Sequence, residues 1–230
     1  METDETPWKP SELSRRRISY DRDELRESDL QPTPLAQFHA WWQEVTASRQ
    51  PEPNAMVLST VDGAGQPTAR TVLLKGVDAA GFRFFTNFTS RKAQAMAVNP
   101  RVALVFPWLV LQRQVTLLGT AEKMAPAESE AYFRSRPRDS QLAAWASWQS
   151  QPIGDRSSLD RRMAELTQRW PEGVEIPVPD FWGGYLVRPD SVEFWQGRPS
   201  RLHDRLRFET TRPAAALDDA AAWRVCRYSP

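Results

Sequence analysis

The chain has 230 residues, 40% hydrophobic and 26% charged, with 30 basic against 29 acidic side chains and a formal net charge of +1. That is enough chain to bury one substantial core, and so even a charge argues against a general nucleic-acid binder, which carries a marked basic excess. One Cys and two distant histidines, His39 and His203, exclude a disulfide framework and argue against a Cys- or His-based metal site.

Residues 1–30 are polar and charged with little apolar periodicity, and read as a mobile arm. The opening METDETPWKP is unlike a secretory signal, so the expected location is cytoplasmic and reducing. Pro32 and Pro34 introduce a helix from about Leu35 to Ser48, with Leu35, Phe38, Trp41, Trp42 and Val45 on one apolar face. A strand at Ala55–Val61 follows, then a turn at 62–65, a strand over Thr68–Val77, a turn at 78–81 and a strand at Phe82–Thr86. Such spacing indicates an antiparallel meander. Ser90 is a candidate cap for a short helix, Arg91–Val98, and strands follow at Arg101–Pro107 and Leu111–Ala121. The run Val102–Leu111 is broken by Pro107 and too short to cross a bilayer. Residues 126–170 are helical, with a break at 136–138, a cap at Asp139 or Ser140, and a last helix from Arg156 to about Trp170. Strands near Gly184–Arg188, Ser191–Trp195, Leu206–Glu209 and Trp223–Tyr228 complete the chain. The class is α+β: an antiparallel sheet or barrel in residues 31–230, with helices inserted in its second half.

No Walker loop, GxGxxG, HExxH or GxSxG is present. Only Lys9, Lys75, Lys92 and Lys123 among the basic residues are Lys; the Arg excess suits phosphate recognition, and codon bias produces it equally well. Four polar clusters remain. Arg70 and Lys75 lie five apart, on opposite faces of one strand, as solvated strand ends or as ligands of two different groups. Thr89-Ser90-Arg91-Lys92 puts a hydroxyl and two cations at a helix start, which is either an ordinary capped helix or a phosphate site. Tyr132 and Arg136 share a helix face, and Ser140 opens the next helix, so phenol, guanidinium and hydroxyl converge as a candidate phosphate pocket. Arg201, His203 and Arg205 share a parity, so an extended chain turns all three one way, and the flanking cations favour a neutral imidazole. His39 reads as a structural or surface residue and Cys226 as a small apolar filler.

These clusters, in this order, resemble the pyridoxamine (pyridoxine) 5'-phosphate oxidase family. The text that carries the resemblance is Arg70-Thr-Val-Leu-Leu-Lys75, Phe85-Thr86-Asn87 with Ser90-Arg91-Lys92, Phe106-Pro107-Trp108 with Arg113-Gln114-Val115, and the run Tyr132 to Gln141. It continues in Trp148-Gln149-Ser150, Phe181-Trp182-Gly183-Gly184, Glu193-Phe194-Trp195-Gln196-Gly197 and Arg201-Leu202-His203-Asp204-Arg205. The resemblance implies a split β-barrel homodimer that holds FMN at sites shared between subunits, with 183–230 as the dimerisation part and no nucleic-acid, membrane or metal partner. By motif position it implies that Arg70, Arg91, Lys92, Gln149 and Ser150 hold the FMN phosphate and ribityl chain. Val72, Leu73, Lys75, Phe85, Thr86, Gln114, Trp195 and Arg205 would frame the flavin. Lys75, Tyr132, Arg136 and Ser140 would take the substrate phosphate, Arg201 and His203 would lie over the substrate ring as the catalytic pair, and Arg17 and Tyr20 would form a lid. The implied reaction is oxidation of pyridoxine or pyridoxamine 5'-phosphate, with O2 reduced to H2O2. Phenazine-pathway flavin oxidases, heme-utilisation and deazaflavin-binding relatives, and a non-catalytic FMN- or B6-binding module share the fold and stand as alternatives.

Overall fold

In the computed structural model, which describes residues 18–230, the first helix starts at its expected cap. Thr33 accepts a hydrogen bond from the Ala36 amide (3.2 Å), Pro34 takes the first helical position, and α1 runs Pro34–Ala47. Phe38, Trp41 and Val45 are buried, while Leu35 and Trp42 pack at the margin of the core. Phe38 sits among Phe82, Phe106 and Trp108 at centroid distances of 5.0, 5.3 and 5.7 Å, so α1 plugs the sheet with aromatic area. His39 on the same helix is exposed.

The described residues form one antiparallel sheet of nine strands: β1 Ala55–Val61, β2 Pro67–Leu73, β3 Gly76–Asp78, β4 Gly81–Asn87, β5 Arg101–Trp108, β6 Arg113–Lys123, β7 Trp182–Gln196, β8 Asp204–Thr210 and β9 Trp223–Arg227. Their order is β2-β1-β5-β6-β7-β4-β3, with β8 on β7 and β9 on β8. Burial alternates along β1, β5 and β6, as expected for strands with one face on a core. β7 is buried along most of its length. One of its edges pairs with β6 throughout; the other pairs first with β4, over Trp182–Val187, and then with β8, over Ser191–Gln196. The fold is therefore a split barrel hung on one shared strand.

Two expected strand boundaries differ, each for a local reason. The strand expected over Thr68–Val77 ends at Leu73, because the chain changes partners there. The Leu74 amide bonds Asn54 beside β1, and the Lys75 amide bonds Arg83 on β4, each at 2.8 Å. Conversely, the two strands expected at 184–188 and 191–195 are one. Pro189 lies opposite Gly119 at a register shift, where a residue without an amide donor does no harm to the ladder.

The helices between β6 and β7 make a second core. They are α3 Pro126–Ser135, α4 Arg138–Ala146 and α5 Arg156–Arg169, while α2, Arg91–Val98, joins β4 to β5. Phe133, Leu142, Ala146, Leu166 and Trp170 pack with Ile176 and Trp182, which ties α3–α5 to the start of β7. Two expected caps are absent: neither Ser90 nor a residue at 139–140 bonds the helix amides it precedes, and α4 begins at Arg138 after Pro137. Residues 18–30, expected as part of a mobile arm, are bonded to the barrel through Asp23, Leu25 and Glu27. No helix among the described residues is long and apolar enough to cross a membrane.

Candidate active site

Between β2, β4, α2 and α4 lies a cavity of about 700 Å³. Arg70, Val72, Leu73, Lys75, Phe85, Thr86, Lys92 and Gln149 line it, together with Tyr132, Arg136 and Ser140. Eleven of the residues singled out from the sequence thus share one cavity, although they come from five separate segments. Arg70 and Lys75 were expected on opposite faces; both line it, because β2 ends between them and the parity argument fails there. Trp182, Asn87 and Ser147 also line it and were not among the predicted site residues.

The charge of this lining is unusual. It holds four cationic side chains, Arg70, Lys75, Lys92 and Arg136, and no carboxylate. Lys92 is buried; its Nζ donates to Gln149 Oε1 (2.6 Å), Thr86 Oγ1 (3.1 Å) and Ser90 Oγ (3.3 Å). Burial, with Arg70 nearby, pushes its pKa down to about 8. Ser90 serves here as a ligand of Lys92 instead of as a helix cap. Arg70 is oriented by the Leu58 carbonyl (3.0 Å) and by Thr60 (2.9 Å), and burial and Arg91 lower its pKa as well. Arg91 itself is exposed, 3.9 Å from Asp62, and neither it nor the exposed Ser150 lines the cavity. Two cations disfavoured by burial and by neighbouring positive charge, and bonded among the described residues to neutral oxygens, form a pair suited to an anion.

A second receptor lies deeper among the helices. Phe85, Tyr132 and Trp182 stack, with Phe85–Tyr132 centroids 3.9 Å apart and Phe85–Trp182 5.4 Å. Arg136 lies over Trp182, its guanidinium carbon 4.8 Å from the ring. Its Nη1 is buried without a hydrogen-bond partner among the described residues, and burial lowers its pKa. An orphaned guanidinium N–H is costly in the free protein and is satisfied by an oxyanion. Gly184 makes the close packing possible: a Cβ there would come within 2.4 Å of Met124 Sδ and 2.9 Å of Phe85.

The remaining predicted residues gather at the other end of β7. Trp195 and His203 are 4.6 Å apart, and Tyr20 meets Trp195 edge-on at 6.0 Å and His203 at 5.8 Å. Tyr20, Gln114 and Trp195 line a groove of about 520 Å³. Arg205, directly across from Trp195, is clamped by Glu193 at 3.0 and 3.2 Å. The expected common face of Arg201, His203 and Arg205 is not realised: β8 starts at Asp204, and Ser200 and Arg201 take left-handed conformations (φ 56° and 62°). His203 Nδ1 accepts the Arg198 amide (3.0 Å), so the proton of the neutral ring sits on Nε2. Its pKa is lowered by burial and then by Arg201, against the opposing charge of Asp204. Arg17 lies outside the described residues. Glu193 and Arg113, which fix this end, were not predicted; their partners come from remote segments, and only the quoted motifs around them hinted at a role.

A split barrel with a cavity lined by four cations and no carboxylate, and an aromatic groove at the far end of its shared strand, fits one class, the split-barrel flavoprotein oxidases. Residues 42–170 match the family model described as pyridoxamine 5'-phosphate oxidase, and residues 182–230 match the pyridoxine 5'-phosphate oxidase C-terminal dimerisation region. The chain belongs to the pyridoxamine 5'-phosphate oxidase family. Proteins named pyridoxine/pyridoxamine 5'-phosphate oxidase from Thermobifida fusca and Salinispora arenicola are 50% and 53% identical to it, over 96% and 90% of this chain and 98% and 90% of theirs. Among solved structures, PhzG from Burkholderia lata in complex with tetrahydrophenazine-1-carboxylic acid is similar, with a TM-score of 0.79 and 27% identity over 90% of this chain and 98% of that one. An FMN-binding protein from Nostoc punctiforme shares the fold, with a TM-score of 0.65 and 17% identity over 88% of this chain and 100% of that one.

Proposed function

We propose that this chain is an FMN-dependent oxidase that converts pyridoxine and pyridoxamine 5'-phosphates to pyridoxal 5'-phosphate as a homodimer, reducing O2 to H2O2. The observation that carries the reading is the cavity with four cations, no carboxylate and an orphaned Arg136 Nη1, which fits two phosphate-bearing ligands. FMN, when bound, would take a hydride from C4' of the substrate and pass the electrons to O2. Arg70, Lys92 and Gln149 would hold its phosphate and ribityl chain, with Arg91 and Ser150 flanking. Lys75, Tyr132, Arg136 and Ser140 would hold the substrate phosphate.

Distance along β7 calls for a second subunit. Trp182 and Trp195 mark the two ends of β7, thirteen residues and about 40 Å of strand apart. One ligand can meet both residue sets only if a second copy brings its Gln114, Trp195, Arg201, His203 and Arg205 to the first copy's cavity. The exposed Ile18, Leu109 and Val110 beside that groove supply apolar area for such a contact. In this arrangement Arg201 and His203 would align the substrate ring, with the Nε2–H of His203 as a donor, and Tyr20 would cover it. Alignment comes before proton transfer, because hydride departure depends on geometry.

The test is to purify the protein and look for bound flavin that bleaches on anaerobic addition of pyridoxine 5'-phosphate, within a particle of twice the chain mass. A colourless or monomeric active protein overturns the reading. The likeness to PhzG supports a second reading, a phenazine-type oxidase on the same barrel; equal turnover of pyridoxine and its phosphate would favour that one, since the ligand named for PhzG carries a carboxylate and no phosphate.

A further inference from the structure

Among the contacts that hold residues 18–30 to the barrel, the one next to Tyr20 runs from Asp23 to a buried cation, while Leu25 and Glu27 are held further along by Asp204 and Arg227. Arg113, at the start of β6, is 7% exposed, and each of its nitrogens is engaged: Nε donates to Gln196 Oε1 (2.7 Å), Nη1 to Glu44 Oε2 (2.6 Å) and Nη2 to Asp23 Oδ2 (2.9 Å). Its guanidinium lies 4.4 Å from the Trp41 ring centroid. The three oxygen partners belong to β7, to α1 and to the arm, so this side chain fixes the arm relative to the two elements it crosses. Gln196 directly follows Trp195, and Asp23 lies three residues after Tyr20. The Tyr20 ring, in turn, occupies space that only glycine leaves open: a Cβ on Gly197 would come within 2.8 Å of it.

We infer that Arg113 is a positioning residue of the reaction, which acts through Asp23 to seat Tyr20 on Gly197 against the Trp195–His203 pair. The inference rests on the proposed function for its kinetic consequence, though not for its structural one. The bond joins a buried guanidinium to a half-exposed carboxylate, so it is charge-assisted and less screened than a pair exposed on both sides. Arg198 adds a weaker second hold, donating to the Asp23 carbonyl at 3.1 Å.

Arg113 is packed in the core and its loss can unfold the chain, so the test is made at Asp23 in the full-length, FMN-loaded protein. Asp23→Asn should raise amide hydrogen exchange over residues 18–25 about tenfold, the effect of losing one such bond, and leave flavin content unchanged. It should raise KM for pyridoxine 5'-phosphate with little change in kcat, and Asp23→Glu should restore both measurements. In a Tyr20→Ala background the same substitution should add nothing to KM, because the ring it seats is gone. Gly197→Ala should reproduce Tyr20→Ala while Asp23 remains in place. Unchanged exchange in Asp23→Asn, or an equal rise in KM with and without Tyr20, overturns the inference. If the unmodified protein oxidises neither B6 phosphate, the proposed function fails instead, and the exchange measurement still decides whether the hold exists.

Discussion

The two ends of β7 use the same residue type in opposite ways. At the Trp182 end, Arg70, Lys92 and Arg136 face neutral oxygens, aromatic rings or nothing, and their pKa values are lowered by burial. At the Trp195 end, Arg113 and Arg205 are held by carboxylates, and Arg207 shares Glu193 with Arg205 at 2.7 Å. A guanidinium paired with a carboxylate has spent its charge on position. One left unpaired in a cavity keeps that charge for a ligand. The paired set therefore builds and orients, and the unpaired set is left with charge that an anionic ligand can use.

Substitution at each end sharpens or breaks this contrast. The largest effect is expected at Arg136. If its unpaired charge serves the substrate phosphate, Arg136→Ala should lower kcat/KM for pyridoxine 5'-phosphate about a hundredfold, near 3 kcal/mol, and hardly alter the slow turnover of pyridoxine. Steady-state kinetics on both substrates would show it; an equal loss on both would mean that Arg136 is structural after all.

Glu193 probes the paired end. It is 6% exposed and accepts from two guanidiniums, so Glu193→Ala removes their shared partner and leaves Arg205 with the Ser229 carbonyl and Arg207 with Glu209 at 3.9 Å. Removing one partner of a buried pair costs about 3 kcal/mol, discounted to roughly 2 because Arg205 and Arg207 retain some exposure, which is a fall in Tm of about 4–8 °C for a chain of this size. Thermal unfolding should record that fall, and an unchanged Tm would erase the distinction between the two ends.

The smallest effect concerns pH. Lys92 has its folded pKa lowered to about 8, so it begins to lose its charge as pH rises through 8. Affinity for an anion in the Arg70–Lys92 receptor should therefore decline by a few-fold between about pH 7 and 9. The stability of the ligand-free protein should move the other way: the folded state binds fewer protons than the unfolded one between about 8 and 10.5, so stability rises across that window. Titration of FMN into the flavin-free protein at several pH values checks the first trend, and Lys92→Met should flatten it.

The sequence carried local structure further than partnership. α2 and β1 fall on their expected residues because a Pro stop or a strict alternation encodes them within one segment, even though Ser90 does not cap α2. Eleven site residues also proved to share a cavity, since each sat in a short motif. What stayed hidden was the choice of partner. Nothing near Leu73 says that the chain will leave β1 for β4, and nothing near Pro189 says that Gly119 will face it. Arg113 is likewise unreadable in isolation: its ligands lie 69, 83 and 90 residues away. The Arg201–His203–Arg205 parity failed for a different reason, since it assumed extended chain where Ser200 and Arg201 turn left-handed.

The shared strand also sets a problem of timing during synthesis. β4 is complete at Asn87, yet the strand that pairs with it begins at Trp182, with β5, β6 and all of α3–α5 emerging in between. At a translation rate of about 5–20 residues per second, the β3–β4 hairpin waits on the order of 5–20 s with one edge unpaired. β6 waits with it, since its free edge is covered by the same strand. The nascent chain thus carries two exposed edges until its last quarter leaves the ribosome, and chaperone engagement would matter most in that interval.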